Sequence, residues 1–155
     1  MRWSSEIQPG GRVLDLAAGG GRHSAYLAAQ GFQVLAVDRD IEALRKLPGV
    51  SARQADLEGA PWPFSNEQFA AIVVTHYLQR PLFPHLIEVL APGGVLIYET
   101  FMAGNERYGR PTNPDFLLQV NELLGCTADL RVLGSEQGYT AQPKPAMMQR
   151  IAAQK

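Results

Sequence analysis

Cysteine is almost absent from this sequence, since it occurs once, at Cys126. A single cysteine excludes an internal disulfide and a metal site built from several cysteines. We therefore predict no metal site of that kind, and we expect Cys126 to pack as a small buried hydrophobic residue.

An excess of either charge is also absent, because 14 Lys and Arg residues stand against 15 Asp and Glu residues. No long basic run indicates a nucleic-acid partner. No apolar stretch is long enough to cross a bilayer, and the first residues lack the apolar centre of a secretory signal. We therefore expect a cytoplasmic protein that binds neither nucleic acid nor membranes.

The chain does have the length and hydrophobicity for one domain with a core, at 155 residues of which 46% are hydrophobic. Short apolar runs alternate with segments of helical pattern. Buried strands are expected at residues 12–16, 33–37, 50–55, 70–75 and 95–99, and helices at residues 22–30, 41–47, 82–90 and 116–124. This alternation predicts a parallel sheet with helices on both faces.

The end of the chain predicts a hairpin. Two further strands are expected at residues 130–135 and 147–153, with prolines and a glycine between them. A hairpin there adds an antiparallel strand to the sheet. We therefore expect a single α/β domain over residues 1–155, a three-layer Rossmann-like sandwich whose mostly parallel sheet has seven strands.

Three consecutive glycines separate the first two predicted strands, in the stretch VLDLAAGGGRHSAYLAAQGFQVLAVDRD. Glycines directly after a strand let the backbone approach a ligand closely, and the next helix offers free N–H groups. Asp38 ends the second strand, where a carboxylate can accept both hydroxyls of a ribose. Arg39 leaves open a cofactor with a 2′-phosphate, although Asp38 argues against that group.

The glycines match the dinucleotide fingerprint G-x-G-x-x-G only in part, because Gly19 and Gly21 fit while Ser24 holds the third position. Asp15 stands before the glycines and would repel a pyrophosphate. A carboxylate there suits a cofactor with an ammonium and a sulfonium group. Alternatively, Asp15 caps a helix and the glycines form only a tight turn.

The motif DLAAGGG resembles the first motif of the class I S-adenosylmethionine (SAM) methyltransferases, D-x-G-x-G-x-G, with Ala17 at its first glycine. ADLEGAPWPFSNEQFAAIVV resembles the passage into that family's fourth strand, although Ala70 stands where many members carry an acid. LAPGGVLIYETF resembles the fifth-strand motif. THYLQRPLFPHL and NERYGRP are similar to segments of small bacterial methyltransferases of the tellurite-resistance type.

The resemblance implies SAM as cofactor and S-adenosylhomocysteine (SAH) as product. It places Asp38 on the cofactor ribose and Asp56 near the adenine amine, with Leu57 against the ring; Asp56 is alternatively a turn residue. Trp62 would either wall the adenine pocket or cover the core. The cofactor-binding residues expected in all are Asp15, Ala17, Gly19, Gly21, Asp38, Arg39, Asp56, Leu57 and Thr75.

The same resemblance implies that His76 and Tyr77, which follow the fourth strand, meet the acceptor as catalytic residues. His76 is either a base or a residue that is hydrogen-bonded to the backbone. We expect Tyr98, Glu99 and Arg110 to surround the mouth of the same acceptor pocket, with the loop NERYGRPTNP as its lid. His23 and His85 are expected to be structural.

Three functions follow from these residues. The first is a SAM-dependent methyltransferase with a small-molecule acceptor, which needs neither a triad nor a metal because alignment alone supplies roughly 7–11 kcal/mol. The second is a nicotinamide-dependent oxidoreductase on a similar sheet, against which Asp15, Ser24 and Asp56 argue. The third is a SAM-binding protein without catalysis.

Members of the family usually carry helices before the first strand, and only residues 1–11 precede it here. We therefore expect the helix that covers the cofactor to be missing or shortened. The cleft would then be open, or covered by a second copy of the chain in a homodimer.

Overall fold

A computed structural model describes all 155 residues and contains one seven-stranded sheet in the order β3-β2-β1-β4-β5-β7-β6. The strands are β1 Arg12–Leu16, β2 Gln33–Asp38, β3 Val50–Gln54, β4 Phe69–Thr75, β5 Leu90–Phe101, β6 Arg131–Thr140 and β7 Ala146–Gln154. Strands β1 to β5 pair in parallel, and β7 is antiparallel to both β5 and β6. The predicted sheet and its closing hairpin are confirmed.

The helices cover both faces of the sheet, which gives the predicted three layers. They are α1 Arg22–Ala29, α2 Phe83–Val89 and α3 Glu122–Cys126, together with five single turns of 3₁₀-helix. Leu27 of α1 joins the core on one face, whereas Leu86 of α2 and Leu123 of α3 join the core on the other. None of the helices is both long and apolar enough to cross a membrane.

Strand β4 shows how the sequence builds a sheet that is buried on both sides. Its residues alternate between the two cores, with Ala71 and Val73 on the α1 side and Ile72 and Val74 on the α2 side. All four are fully buried. A continuous run of apolar residues is therefore required here, because neither face of a central parallel strand meets water.

Three predicted elements differ from the structure. Residues 41–47 form a single 3₁₀ turn, Leu44–Lys46, in place of a helix. Strand β5 begins at Leu90 and includes the APGG segment, where a bulge shifts its register against β4. Gly94 is required at this bulge, because a Cβ there would lie 2.9 Å from the carbonyl oxygen of Phe69.

The predicted helix over residues 116–124 is wrong in its first half. Leu117 has an extended backbone and Leu118 forms a bridge with Met102, so both leucines are buried next to β5. Helix α3 begins only after Asn121, which adopts the left-handed conformation. Two adjacent buried leucines suit an extended segment as well as a helix, and the contact with β5 decides between them.

Candidate active site

The carboxyl ends of the parallel strands surround a cavity of about 280 Å³, which we call the cofactor cavity. Strand order reverses between β1 and β4, and such a switch point opens a crevice at the carboxyl edge of the sheet. Nine residues line the cavity, and seven of them are site residues predicted from the sequence. The nine are Ala17, Asp38, Arg39, Ala55, Asp56, Leu57, Glu58, His76 and Tyr77.

Asp38 holds the glycine loop to the end of β2. Its Oδ2 accepts a hydrogen bond from the Gly19 N–H at 2.9 Å, and its Oδ1 accepts one from the Asp40 N–H at 3.1 Å. Each carboxylate oxygen has a second lone pair, so both can still accept a ligand hydroxyl. The space where a Cβ of Gly19 or Gly20 would lie is open.

Three residues of the glycine loop have a left-handed backbone, Ala17, Gly19 and Gly21. At Ala17 and Gly21 the structure shows why a glycine is favoured or required. Ala17 has φ +54°, a conformation that costs a residue with a Cβ about 1–2 kcal/mol, so a glycine is the ordinary choice there. Gly21 has φ +78°, and a Cβ on it would lie 2.4 Å from Cδ1 of Leu47. Neither Gly19 nor Gly21 lines the cavity, so their contact with a cofactor stays a prediction.

Asp15 lies beneath the glycine loop and not on the wall of the cavity. Its carboxyl group is buried and accepts a hydrogen bond from the Ser24 hydroxyl at 2.5 Å. Burial raises the pKa of Asp15 to about 6, although the Ser24 hydrogen bonds oppose that rise. Thr75 also lies off the cavity wall, paired with Glu99 in the sheet. Direct cofactor contacts from these two residues stay predictions.

Asp56 is both a turn residue and a residue of the cavity wall. Its Oδ1 accepts hydrogen bonds from the N–H groups of Glu58 and Gly59 at 3.0 and 3.1 Å, and these bonds lower its pKa. Its Oδ2 accepts no hydrogen bond from the chain, so this oxygen can accept one from a ligand amine. The two interpretations of Asp56 are therefore compatible.

Trp62 covers the core and does not wall the cofactor cavity. Its ring meets Phe64 edge-on at 5.0 Å and stacks on His85 at 5.6 Å. His85 does not line the cavity, and its structural role stays a prediction. His23 contacts the Arg22 guanidinium at 3.2 Å. Cys126 is half-buried and packs against the larger core, close to the role expected for it.

His76 follows β4 in a left-handed conformation, with φ +54°. Its N–H donates to the Glu99 carbonyl oxygen at 2.8 Å, and its ring stacks on Phe101 at 5.0 Å. Its Nε2 lies 3.9 Å from Glu99 Oε1. Burial lowers the pKa of His76 despite the nearby carboxylate, so the imidazole is neutral at pH 7. Backbone strain at the mouth of a cavity is typical of functional positions.

Tyr77 presents a buried polar atom to the cofactor cavity. No group of the chain makes a well-formed hydrogen bond with its hydroxyl, although the Glu58 carboxylate lies near it. Burial, followed by the nearby Glu58 carboxylate, raises the pKa of Tyr77 to about 12. A bound ligand that accepts a hydrogen bond from this hydroxyl would therefore improve its pairing.

A second cavity of about 360 Å³ lies beside the first, and we call it the acceptor cavity. His76 lines both cavities, and Glu99 and Arg110 join it here as predicted. The β6–β7 hairpin and the loop after β5 supply most of the other lining residues, including Tyr108, Thr140, Gln142, Lys144, Met148 and Arg150. No local motif marks the hairpin residues, which reach this cavity only through the pairing of β7 with β5.

Tyr98 is a predicted site residue that the structure removes from the mouth. It is only 1% exposed, its ring stacks on Phe83 at 4.9 Å, and its hydroxyl donates to the Tyr77 carbonyl oxygen at 2.8 Å. Side chains alternate along a strand, so Tyr98 faces the α2 core, whereas its neighbour Glu99 lines the acceptor cavity.

The residues that line the cofactor cavity have the chemical groups needed to bind an adenosyl group. Carboxylates of Asp38 and Asp56 keep free oxygens for hydroxyl and amine donors, as shown above. Ala55 and Leu57 are apolar residues of the same wall, against which the flat face of an adenine can pack. The Tyr77 hydroxyl adds a buried polar atom near the Glu58 carboxylate of the same wall.

Comparison with known proteins identifies the domain type. A family model described as a methyltransferase domain matches residues 13–94, just over half of the chain. The demethylmenaquinone methyltransferase of Clavibacter sepedonicus is 37% identical over 103 residues, which are 57% of this chain and 40% of that protein. The enzyme of the same name from Mycobacterium sp. (strain KMS) is 31% identical over 128 residues, 76% of this chain and 50% of that protein. The chain thus spans half or less of the length of these relatives.

Solved structures share the fold at low identity. TehB from Haemophilus influenzae superposes with a TM-score of 0.76 at 21% identity, over 94% of this chain and 57% of that one. A SAM-dependent methyltransferase from Mesorhizobium loti gives a TM-score of 0.73 at 18% identity, over 97% of this chain and 94% of that one. Coclaurine N-methyltransferase, bound to N-methylheliamine and SAH, gives 0.71 at 14% identity, over 97% and 69%.

Proposed function

The chain belongs to the methyltransferase domain family, and we propose that it is a class I SAM-dependent methyltransferase that acts on a small-molecule acceptor. One observation carries the proposal. The cofactor cavity, with the free carboxylate oxygens of Asp38 and Asp56, shares His76 with a second cavity that has room for an acceptor.

Asp38 and Asp56 recognise opposite ends of an adenosine in this proposal. Asp38 accepts hydrogen bonds from the ribose hydroxyls, and Oδ2 of Asp56 accepts one from the adenine amine. Each such bond to a charged group is worth roughly 1.5–3 kcal/mol. Asp15, which precedes the glycine loop, is mostly ionised at pH 7, and its negative charge favours a cation bound nearby.

Bound SAM supplies a methyl group that its positively charged sulfur already activates. The chain therefore has to align the acceptor and to exclude water, which can supply roughly 7–11 kcal/mol. His76 is neutral at pH 7 and can accept a proton from an acceptor hydroxyl or amine at one of its ring nitrogens. The Glu99 carboxylate, 3.9 Å from Nε2, stabilises the imidazolium that results.

The acceptor is a small molecule in this proposal. Several similar proteins are named for demethylmenaquinone, which makes that compound one acceptor to assay. The match covers 40–50% of those proteins, so their acceptor transfers to this chain only as a hypothesis. The nicotinamide and non-catalytic alternatives receive no support from the comparisons.

Ligand binding tests the cofactor directly. Isothermal calorimetry and thermal shift should show binding of SAM and SAH but not of NAD or NADP. SAH at one hundred times its dissociation constant should stabilise the protein by roughly 2.7 kcal/mol. A larger shift with NAD than with SAH would contradict the proposal.

Two neighbouring acids provide a matched pair of variants for the same assay. Asp38→Ala should weaken SAH binding by about 30-fold, which corresponds to roughly 2 kcal/mol for the lost ribose contacts. Asp40→Ala removes an exposed acid whose carboxylate accepts only the Glu42 N–H, at 3.1 Å, and should leave SAH affinity unchanged. SAH affinity that is equal in both variants would show that Asp38 does not bind the ribose. Release of SAH from SAM in the presence of an acceptor then separates catalysis from binding alone.

A further inference from the structure

We propose that the acceptor cavity selects molecules that carry a negatively charged group, a carboxylate or a phosphate, on an apolar and preferably aromatic body. This inference rests on the proposed function, because it takes the second cavity as the place of the methyl acceptor. It goes further by assigning the chemical class of that acceptor.

The charges on the cavity wall do not balance. Arg150 Nε donates to Glu99 Oε2 at 2.6 Å, so the single carboxylate among the lining residues is already paired. Arg150 also lies 3.9 Å from Glu136, which is outside the lining. Arg110 and Lys144 line the cavity and pair with no carboxylate of the chain within 4.0 Å.

His76 does not add to or offset this surplus at neutral pH, because burial lowers its pKa. The cavity therefore carries two unpaired positive charges and no unpaired negative one. A concave wall focuses the field of such charges, so an anion is concentrated there and a cation is excluded.

The rest of the wall is suited to an apolar body. Phe101 and Met148 lie on adjacent paired strands, at positions that face each other in the β5–β7 register. Phe101 stacks on His76, while Tyr108 and Pro145 also line the cavity. Aromatic and proline rings around a cavity of about 360 Å³ match a ligand with one or two rings.

The apolar part of the wall and the two unpaired positive charges have different positions relative to the cofactor cavity. Phe101 contacts His76, the residue that the two cavities share, whereas Arg110 and Lys144 belong to the loops after β5 and β6. An acceptor whose anionic group contacts Arg110 and Lys144 can therefore direct its opposite end toward His76. That end is where the proposed function needs the nucleophilic oxygen or nitrogen.

Four small probes of similar size test the proposal by calorimetry on the full chain saturated with SAH. They are benzoate, phenyl phosphate, uncharged benzamide and cationic benzylamine. We expect benzoate or phenyl phosphate to bind at least 10-fold more tightly than benzamide, and benzylamine not to bind. The tighter of the two anions assigns the carboxylate or the phosphate as the preferred group.

Variants then locate the site. The double variant Arg110→Gln, Lys144→Gln should lose at least 10-fold in affinity for the preferred anion and keep its affinity for benzamide. Arg107→Gln is the matched control, because Arg107 is exposed in the same loop and lines neither cavity. It should keep the affinity for the anion within about twofold.

The outcomes separate this inference from the proposed function. SAH binding together with equal affinity for benzamide and the anions, or with an undiminished anion affinity in the double variant, overturns the acceptor class alone. Failure of the unmodified chain to bind SAH overturns the proposed function, which is measured first and independently. Loss of anion binding in Arg107→Gln as well would place the anion elsewhere and also overturn the inference.

Discussion

Asp15 is a carboxylic acid that the fold keeps away from water at the end of a central strand. Burial raises its pKa from an ordinary value of 3.8 to about 6, so ionisation in the folded protein is disfavoured by roughly 3 kcal/mol. The Ser24 hydroxyl is its hydrogen-bond donor. A carboxyl that costs stability at neutral pH is typical of a residue kept for function.

The raised pKa predicts a pH-dependent gain from Asp15→Asn. A group whose pKa is higher in the folded state contributes stability below its unfolded pKa, and that stability is lost as the pH rises through the folded value. For Asp15 the loss falls between pH 3.8 and about pH 6. The amide cannot ionise and can still accept from Ser24, so the variant should be more stable by about 1–3 kcal/mol at pH 8 and by much less at pH 4.

Urea unfolding of both proteins across this pH range measures the difference. Asp40→Asn is the control, since it makes the same change at an exposed acid. A gain for Asp15→Asn that is the same at pH 4 and pH 8 would show that ionisation of Asp15 is not its cause.

The backbone of Ala17 leads to a second prediction about stability at the residue scale, because its φ of +54° suits glycine. Ala17→Gly relieves strain of about 1–2 kcal/mol but frees the unfolded chain by about 0.4–1 kcal/mol. The free energy of unfolding should therefore stay the same or rise by up to about 1.6 kcal/mol. Ala25→Gly, inside α1, should lower it by about 1 kcal/mol. Equal losses in the two variants, measured by chemical denaturation, would show that Ala17 is not strained.

Which site residues the sequence could reveal depends on how local their signals are. Ala17, Asp38 and Asp56 lie at the ends of strands or within two residues of them, and they reach the cavity through chain connectivity alone. Lys144 and Arg150 reach the acceptor cavity because β7 pairs with β5, a long-range contact that no local motif encodes. Tyr98 was assigned to the mouth wrongly, since only the register of β5 decides that its neighbour Glu99 faces the cavity.

At the scale of elements, Arg80 ties the loop after β4 to the segment that precedes α3. Its guanidinium donates to the Glu122 carboxylate at 2.5 Å, to the Asp115 carbonyl at 2.7 Å and to the Leu117 carbonyl at 3.0 Å. A planar fork with several donors suits this arrangement, and a lysine cannot reproduce it. Arg80 therefore holds residues 115–122 in place against the loop after β4.

Arg80→Lys should loosen this segment without unfolding the sheet. We expect amide hydrogen exchange across residues 115–122 to become about 5- to 30-fold faster, corresponding to about 1–2 kcal/mol of lost local stability, while exchange in β1 and β4 is unchanged. Arg107→Lys, which alters an exposed arginine without an ion pair, should change neither. Uniformly faster exchange in every strand would show that Arg80 supports the whole fold and not this segment.

Elements were predictable where the pattern was periodic and local. Strands β1, β2 and β4 consist mostly of apolar residues, and the glycine after α1 marks its end. The segment before α3 was mistaken for helix because Leu117 and Leu118 fit either periodicity. Contact of Leu118 with Met102 makes it extended, and that contact joins residues that are sixteen positions apart.

For the molecule as a whole, ligand binding and stability can be changed separately because they depend on different residues. The carboxyl ends of the strands supply the cavities, whereas Glu67 links strands without lining either cavity. Its carboxylate accepts from Arg53 of β3 at 2.5 Å and from Arg12 of β1, strands that are separated by β2. Those arginines also lie over the rings of Phe64 and Phe69 in the core.

Glu67→Gln should therefore lower global stability and leave ligand binding intact. Burial alone would raise the pKa of Glu67, but hydrogen bonds from Arg53 and Arg12 outweigh it and lower the pKa. A lowered pKa means that the stability is present above the unfolded value and is lost as the pH falls through the folded value. We expect a loss of about 1–2 kcal/mol at pH 7, since both arginines are partly exposed, and a smaller loss at pH 3.

Glu42→Gln is the matched control for this loss, because Glu42 pairs with Lys46 at 2.9 Å on the surface and should cost about 0.5 kcal/mol or less. Chemical denaturation gives the free energies, and calorimetry gives the affinity for SAH in the same samples. Weaker SAH binding by folded Glu67→Gln would show that the linked strands β1 and β3 also set the shape of the cofactor cavity. Unchanged SAH affinity with reduced stability is the expected result, because the carboxylates that bind the adenosine are held by their own turns at Gly19, Asp40, Glu58 and Gly59.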